Sequence, residues 1–105
     1  MAVKREFSSF EDLISQAKTP VLVDFYAEWC GPCRMMGKIL DQVKSILKSR
    51  LEVVKIDSER YPAIASQYHV QALPTLLLFH HGTVVEHWEG VQPPEVIIER
   101  VRHLV

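Results

Sequence analysis

Hydrophobic positions along this chain follow two spacings, and each switch between them marks an element. Phe10, Leu13, Ile14 and Ala17 recur at i, i+3, i+4 and i+7, one face of a helix. Ser8 with Glu11 three residues on reads as a capping box, and Thr19-Pro20 ends the helix. Ahead of it, Ala2 to Phe7 predicts a short edge strand. Val21 to Tyr26 is apolar on both faces save for Asp24, the pattern of a central strand covered on both sides. From roughly Arg34 to Lys48 the period returns to that of a helix, with Met36, Ile39, Leu40, Val43 and Leu47 as its stripe. Gly37 interrupts that helix and allows a bend or close packing. Lys44, Lys48 and Arg50 gather at its C-terminal end, where cations suit the dipole.

Leu51 to Asp57 predicts the next strand, through Val53, Val54 and Ile56. Strand, helix, strand implies a right-handed parallel crossover. Ser58 to Tyr68 predicts a short helix with Pro62 near its first turn and Ile64, Ala65 and Tyr68 inward. Leu76 to Phe79 is an apolar strand, His80-His81-Gly82 a hairpin turn, and Thr83 to Glu89 the antiparallel return. Pro93-Pro94 opens a last helix with Val96, Ile97, Val101 and Leu104 inward. No repeat or linker divides the chain, so residues 1–105 form a single α/β domain.

Composition narrows the function. A net charge of −1 without a basic block argues against nucleic acid or an acidic membrane surface as partner. The start of the chain is charged and lacks the apolar core of a signal peptide, and no stretch approaches the roughly 20 apolar residues of a membrane span. A reducing, cytoplasm-like compartment is expected, with a plastid-stroma-like one as the alternative. There, a cysteine pair serves catalysis more readily than structure.

Both cysteines lie in Trp29-Cys30-Gly31-Pro32-Cys33, between a predicted strand and a predicted helix. With Cys30 at the helix N-cap, Cys33 falls one turn later on the same face. Residues three apart on a helix have Cβ atoms about 5–6 Å apart, and a disulfide needs about 3.5–4.5 Å. A small adjustment of the first turn therefore accommodates dithiol and disulfide alike. Free N–H groups and the helix dipole favour a thiolate at Cys30, expected to be the exposed end, and a thiolate is the attacking species in exchange. Pro32 suits the first turn, Gly31 admits a partner's backbone, and Trp29 shields one side. A purely structural bridge over so short a loop would contribute only roughly 2 kcal/mol. A zinc site wants four ligands, and here one pair stands with five scattered histidines.

Asp24 precedes Cys30 by six residues. It is either a strand-edge carboxylate met by water or a neighbouring donor, or a buried proton acceptor beneath the cysteines with a raised pKa. Lys55 is either a solvated face or a positive neighbour of Asp24. Pro74 is a strand-start residue in trans, or a cis peptide turning the backbone.

Val23-Asp24-Phe25, Ala27-Glu28-Trp29-Cys30-Gly31-Pro32-Cys33, Lys55-Ile56-Asp57 and Leu73-Pro74-Thr75-Leu76, with Gly82 and Gly90, stand in the order and spacing of thioredoxins. The resemblance covers nearly the whole chain. It implies the thioredoxin fold, a central five-stranded mixed sheet flanked by four helices. It also implies a protein-disulfide reductase with no bound cofactor beyond a redox-active Cys30–Cys33 disulfide. Cys30 would be the nucleophile and Cys33 the resolving thiol, Asp24 would exchange a proton with Cys33 helped by Lys55, and Pro74 would be cis and pack on the pair. Trp29, Gly31, Pro32, Leu73, Thr75, Gly90 and Val91 would line the substrate groove. The implied partners are disulfide-containing target proteins and a thioredoxin reductase dependent on NADPH or ferredoxin, the chain itself acting as a monomer. Gly-Pro between the cysteines favours a reducing member, since a histidine there would steady the thiolate and make the couple more oxidising. Rival readings are a binding module that uses the groove without the cysteines, and a metal or iron–sulfur scaffold joining two chains. The chain departs from the family pattern at Gly37-Lys38, where a kinking proline is common. It departs also at Tyr26 for Trp, at Leu73 for Ile, and at His80, His81 and His87.

Overall fold

A computed structural model describes residues 10–105. Helix α1 (Phe10–Gln16) leads into β1 (Val21–Tyr26), α2 (Gly31–Leu47), β2 (Glu52–Asp57), α3 (Pro62–Gln67), β3 (Thr75–His80), β4 (Thr83–Glu89) and α4 (Pro94–Arg102). The sheet order is β2-β1-β3-β4, with β1 and β2 parallel and the other two pairings antiparallel. The mixed sheet and its helices match expectation, with four strands among the described residues rather than five. The predicted strand Ala2 to Phe7 and the Ser8 end of the capping box lie outside the described residues.

Alternation along β1 divides the core. Val21, Val23 and Phe25 pack on one face with α1 and α3, while Leu22 faces α2 and α4. β3 divides likewise, Leu77 and Phe79 against Leu76 and Leu78. Period two therefore sends Asp24 to the same side as Leu22, the side covered by α2. Leu22, Leu76 and Leu78 are fully buried, and truncating one to Ala removes about 2–5 kcal/mol.

Several boundaries differ from the sequence pattern for local reasons. Helix α2 starts at Gly31, since Cys30 caps it and Pro32 needs no N–H partner there. It runs as one α-helix to Leu47 and stops where Lys48 adopts φ 52°. The Lys44 ammonium then donates to the Lys48 carbonyl at 2.8 Å and to that of Leu51, satisfying open carbonyls at the helix end. Helix α3 starts at Pro62, later than Ser58, because Asp57 Oδ1 accepts the N–H groups of Glu59 and Arg60 and holds a turn. In α4 Val96 is exposed, and Ile98 takes its place beside Ile97 and Val101. The hairpin loop is His81-Gly82, both with positive φ (54° and 81°), as a two-residue I′ turn demands.

Candidate redox site at the head of α2

β1 delivers the chain to the N-terminus of α2 through one tight turn, the Cys30 N–H donating to the Ala27 carbonyl at 3.2 Å. Cys30 then takes an extended conformation (φ −90°, ψ 110°), the backbone of an N-cap. Its sulfur does the work a Ser or Asp oxygen usually does there: Cys33 N–H donates to Cys30 Sγ at 3.2 Å. The Cα atoms of Cys30 and Cys33 are 5.2 Å apart, inside the span a disulfide tolerates, and the two are bonded.

One expectation about this pair is corrected. Cys30 is no more exposed than Cys33, at 4% against 5%. Both cysteines share a small buried cluster with Ala27, and Tyr26 and Leu73 pack against it. What separates them is position: Cys30 Sγ sits at the positive end of the helix with an N–H aimed at it, and Cys33 lies inside the first turn.

Asp24 is fully buried, and neither carboxylate oxygen has a hydrogen-bond partner among the described residues. The carboxyl is thus sealed from the surface and held by no donor among the described residues. Burial pushes its pKa from 3.8 to about 6, and the Lys55 ammonium pulls the other way. Lys55 is the register partner of Asp24 across β1 and β2. Its side chain is exposed, with Nζ 5.7 Å from the centroid of the Tyr26 ring. The two readings of Lys55 are thus not exclusive, since a solvated ammonium still acts on the buried acid.

Beside Cys33 the surface opens into a cleft of about 360 Å³, walled by Tyr26, Cys33, Gly37, Lys38, Asp41 and Lys55 among others. The Leu73–Pro74 peptide is cis. The Pro74 carbonyl accepts the Gly90 N–H at 2.8 Å, so the loop after β4 is tied to the loop before β3. Gly90 has φ 85°, which a side chain would strain. Val91 is half-buried against the α2–α4 core. Trp29 is 64% exposed, and its indole N–H donates to the Glu59 carboxylate. Gly31 and Pro32 are exposed, and a Cβ added at Gly31 would touch nothing in the chain. Thr75 does not present its side chain to a groove: it is fully buried, with its hydroxyl donated to the Ala72 carbonyl at 2.6 Å. Glu59 escaped the sequence reading, because nothing local links it to Trp29, thirty residues away.

A family model described as Thioredoxin matches residues 2–103. The chain belongs to the thioredoxin family. It is 51% identical over 105 residues to a thioredoxin-like protein of Synechocystis sp., covering all of both chains. It is 47% identical over 102 residues to a chloroplastic Y-type thioredoxin of Arabidopsis thaliana, covering 97% of this chain and 61% of that one. Among solved structures, chloroplastic thioredoxin z superposes with TM-score 0.85 at 32% identity, covering 99% of this chain and 96% of that one. A mutant thioredoxin from Halobacterium salinarum gives 0.83 at 33% identity, covering 94% and 85%. As a thioredoxin, the chain is a dithiol–disulfide oxidoreductase, and Cys30–Cys33 is its redox pair. Among the described residues no helix is long and apolar enough to cross a membrane.

Proposed function

We propose that this thioredoxin runs in the reducing direction, passing two electrons from a thioredoxin reductase to disulfides of target proteins. The observation that carries this reading is the Cys33 N–H donated to Cys30 Sγ at a helix N-cap, above a buried acid without a hydrogen-bond partner. In the dithiol form the same N–H and the helix dipole stabilise a thiolate at Cys30. That thiolate attacks one sulfur of the target disulfide. A mixed disulfide forms and the first target thiolate leaves. Cys33 then loses its proton to Asp24 and attacks Cys30 Sγ. The Cys30–Cys33 bond forms and the second target thiolate leaves, the target having gained two electrons. The reductase restores the dithiol with two electrons from NADPH or ferredoxin.

Asp24 with a pKa of about 6 is largely ionised at neutral pH and able to accept a proton, which an ordinary carboxylate would do less readily. Lys55 sets how far that value rises. Trp29, Gly31, Pro32, Leu73, Gly90 and Val91, with Pro74, form the shallow face on which a target chain rests as an added strand. The cyanobacterial and chloroplastic relatives support a cytoplasm or a stroma as the compartment. The chain works there as a monomer.

The experiment is reduction of insulin disulfides with a regenerating reductant. Turnover well above the uncatalysed rate is expected, and its absence defeats the reading. Binding of targets undiminished after both cysteines become Ser would favour a clamp that works without redox chemistry.

A further inference from the structure

Inside α2, one turn beyond Cys33, stands Gly37, a residue that a helix interior disfavours. A Cβ built there would lie 3.2 Å from Lys55 Nζ, with no other atom within 4 Å outside its own helix backbone and chain neighbours. The space a side chain would need is thus held by the ammonium of a residue from β2. On its other side the ammonium lies over the Tyr26 ring, 5.7 Å from the centroid, within reach of a cation–π contact. Gly37, Tyr26, Lys55 and Cys33 all wall the same cleft.

We propose that Gly37 is a positioning residue: its missing side chain lets the Lys55 ammonium settle between α2 and Tyr26, beside the Cys33 end of the redox pair. The inference deepens the reading of Asp24 as proton acceptor and rests on it for its functional meaning. Asp24 and Lys55 are register partners on neighbouring strands, so where the ammonium sits sets its distance from the carboxyl. Lys55 is the charge that opposes burial at Asp24. Other charges line the same cleft: Glu28, Arg34, Lys38 and Asp41. Asp57 and Arg60 act on the Tyr26 hydroxyl. The side chains of Glu28, Arg34, Lys38 and Asp41 are exposed, as is that of Lys55, and the Lys55 ammonium lies between Gly37 of α2 and the Tyr26 ring. An alanine at position 37 would push away the far end of a flexible side chain, not the backbone, so the protein keeps its fold while the ammonium moves.

The test is an NMR titration of the Asp24 side-chain carboxyl carbon in the oxidised wild type, Gly37→Ala, Lys55→Met and the double variant. Gly37→Ala should raise the titration midpoint by roughly half a unit, the size expected when a charge a few ångströms away retreats. Lys55→Met should raise it too, and adding Gly37→Ala to Lys55→Met should change nothing further. Gly37→Ser, equally able to fold, should behave like Gly37→Ala. In kinetics, the pH profile of mixed-disulfide resolution should move to higher pH by the same amount, making resolution about twofold slower near pH 6. A Gly37→Ala midpoint equal to that of the wild type overturns the inference, as does an equal rise on top of Lys55→Met. The titration needs no turnover, so this failure is separate from failure of the proton-acceptor role. That role is lost instead if Asp24→Asn resolves at the wild-type rate.

Discussion

Asp24 and Lys55 are paired in register across β1 and β2, yet the carboxyl is sealed from solvent while the ammonium stands in it. Among the described residues they share no ion pair within 4 Å, and no donor reaches either carboxylate oxygen. The acid is therefore left in an unfavourable place and only partly compensated, which is poor design for stability and useful for moving a proton near neutral pH.

This imbalance has a sign in the stability. In the unfolded chain Asp24 has its ordinary pKa of 3.8, and in the fold about 6. The folded state holds the proton more tightly, so the contribution of Asp24 to stability is most favourable below about pH 4. It falls as pH rises towards 6, and above that the full cost is present. Two pKa units correspond to on the order of 3 kcal/mol. Asp24→Asn cannot titrate, so urea denaturation should show the wild type losing roughly that much relative to the variant between pH 4 and pH 8. Parallel stability curves would mean the carboxyl is not raised.

The reaction order gives a second prediction. Cys33→Ser keeps the N–H that points at Cys30 Sγ but removes the resolving thiol. Mixed disulfides with targets should accumulate through Cys30, visible by mass spectrometry as a dithiothreitol-sensitive adduct. Turnover should fall to the uncatalysed rate. Cys30→Ser should trap nothing. Equal trapping by the two variants would reverse or blur the assignment.

Much of this site could be read from the chain because its parts are short-range. Cys30 and Cys33 lie in one helical turn, and the apolar run around Asp24 announces a covered strand before any packing is seen. The cis Leu73–Pro74 peptide came only through family resemblance, since local preference points to trans. What stayed hidden depends on long-range contacts. Cys30 and Cys33 are buried in a cluster that Leu73, forty residues later in the chain, packs against. The burial of the Thr75 side chain follows from its place at the start of a central strand and from a hydroxyl bond to Ala72. Gly37 read as a site for a bend or for close packing, but what packs there, Lys55, belongs to another strand and had no local signal.

Glu59 offers a third prediction. Its carboxylate accepts the Trp29 indole N–H across the mouth of the site, and both side chains are exposed. Breaking so exposed a bond should change stability by no more than about half a kcal/mol. The indole, however, would lose the tether that holds its ring beside Cys30, and ordering it would fall to the binding step. Glu59→Gln retains an acceptor, whereas Glu59→Ala does not. Glu59→Ala should raise KM for a protein target a few-fold with little change in kcat, and Glu59→Gln should stay close to the wild type. A fall in kcat at unchanged KM would argue that the tether serves the chemistry instead.

The last prediction sets stability against function at Gly37. Alanine is worth about 1 kcal/mol over glycine in a helix interior, because the backbone has less freedom to lose on folding. The added Cβ would meet only Lys55 Nζ at 3.2 Å, the end of an exposed side chain that can swing away. The helix gain should therefore survive nearly intact, and Gly37→Ala should unfold at higher denaturant concentration, by an amount approaching 1 kcal/mol, with an unchanged m-value. Part of the gain should be offset above pH 6, where an ionised Asp24 loses some of the Lys55 field. The gain should then be larger at pH 4.5 than at pH 7.5, and this pH dependence should vanish in an Asp24→Asn background. A uniform gain at both pH values would show that the ammonium had not moved, and a loss of stability would show that the position is packed more tightly than the single contact indicates.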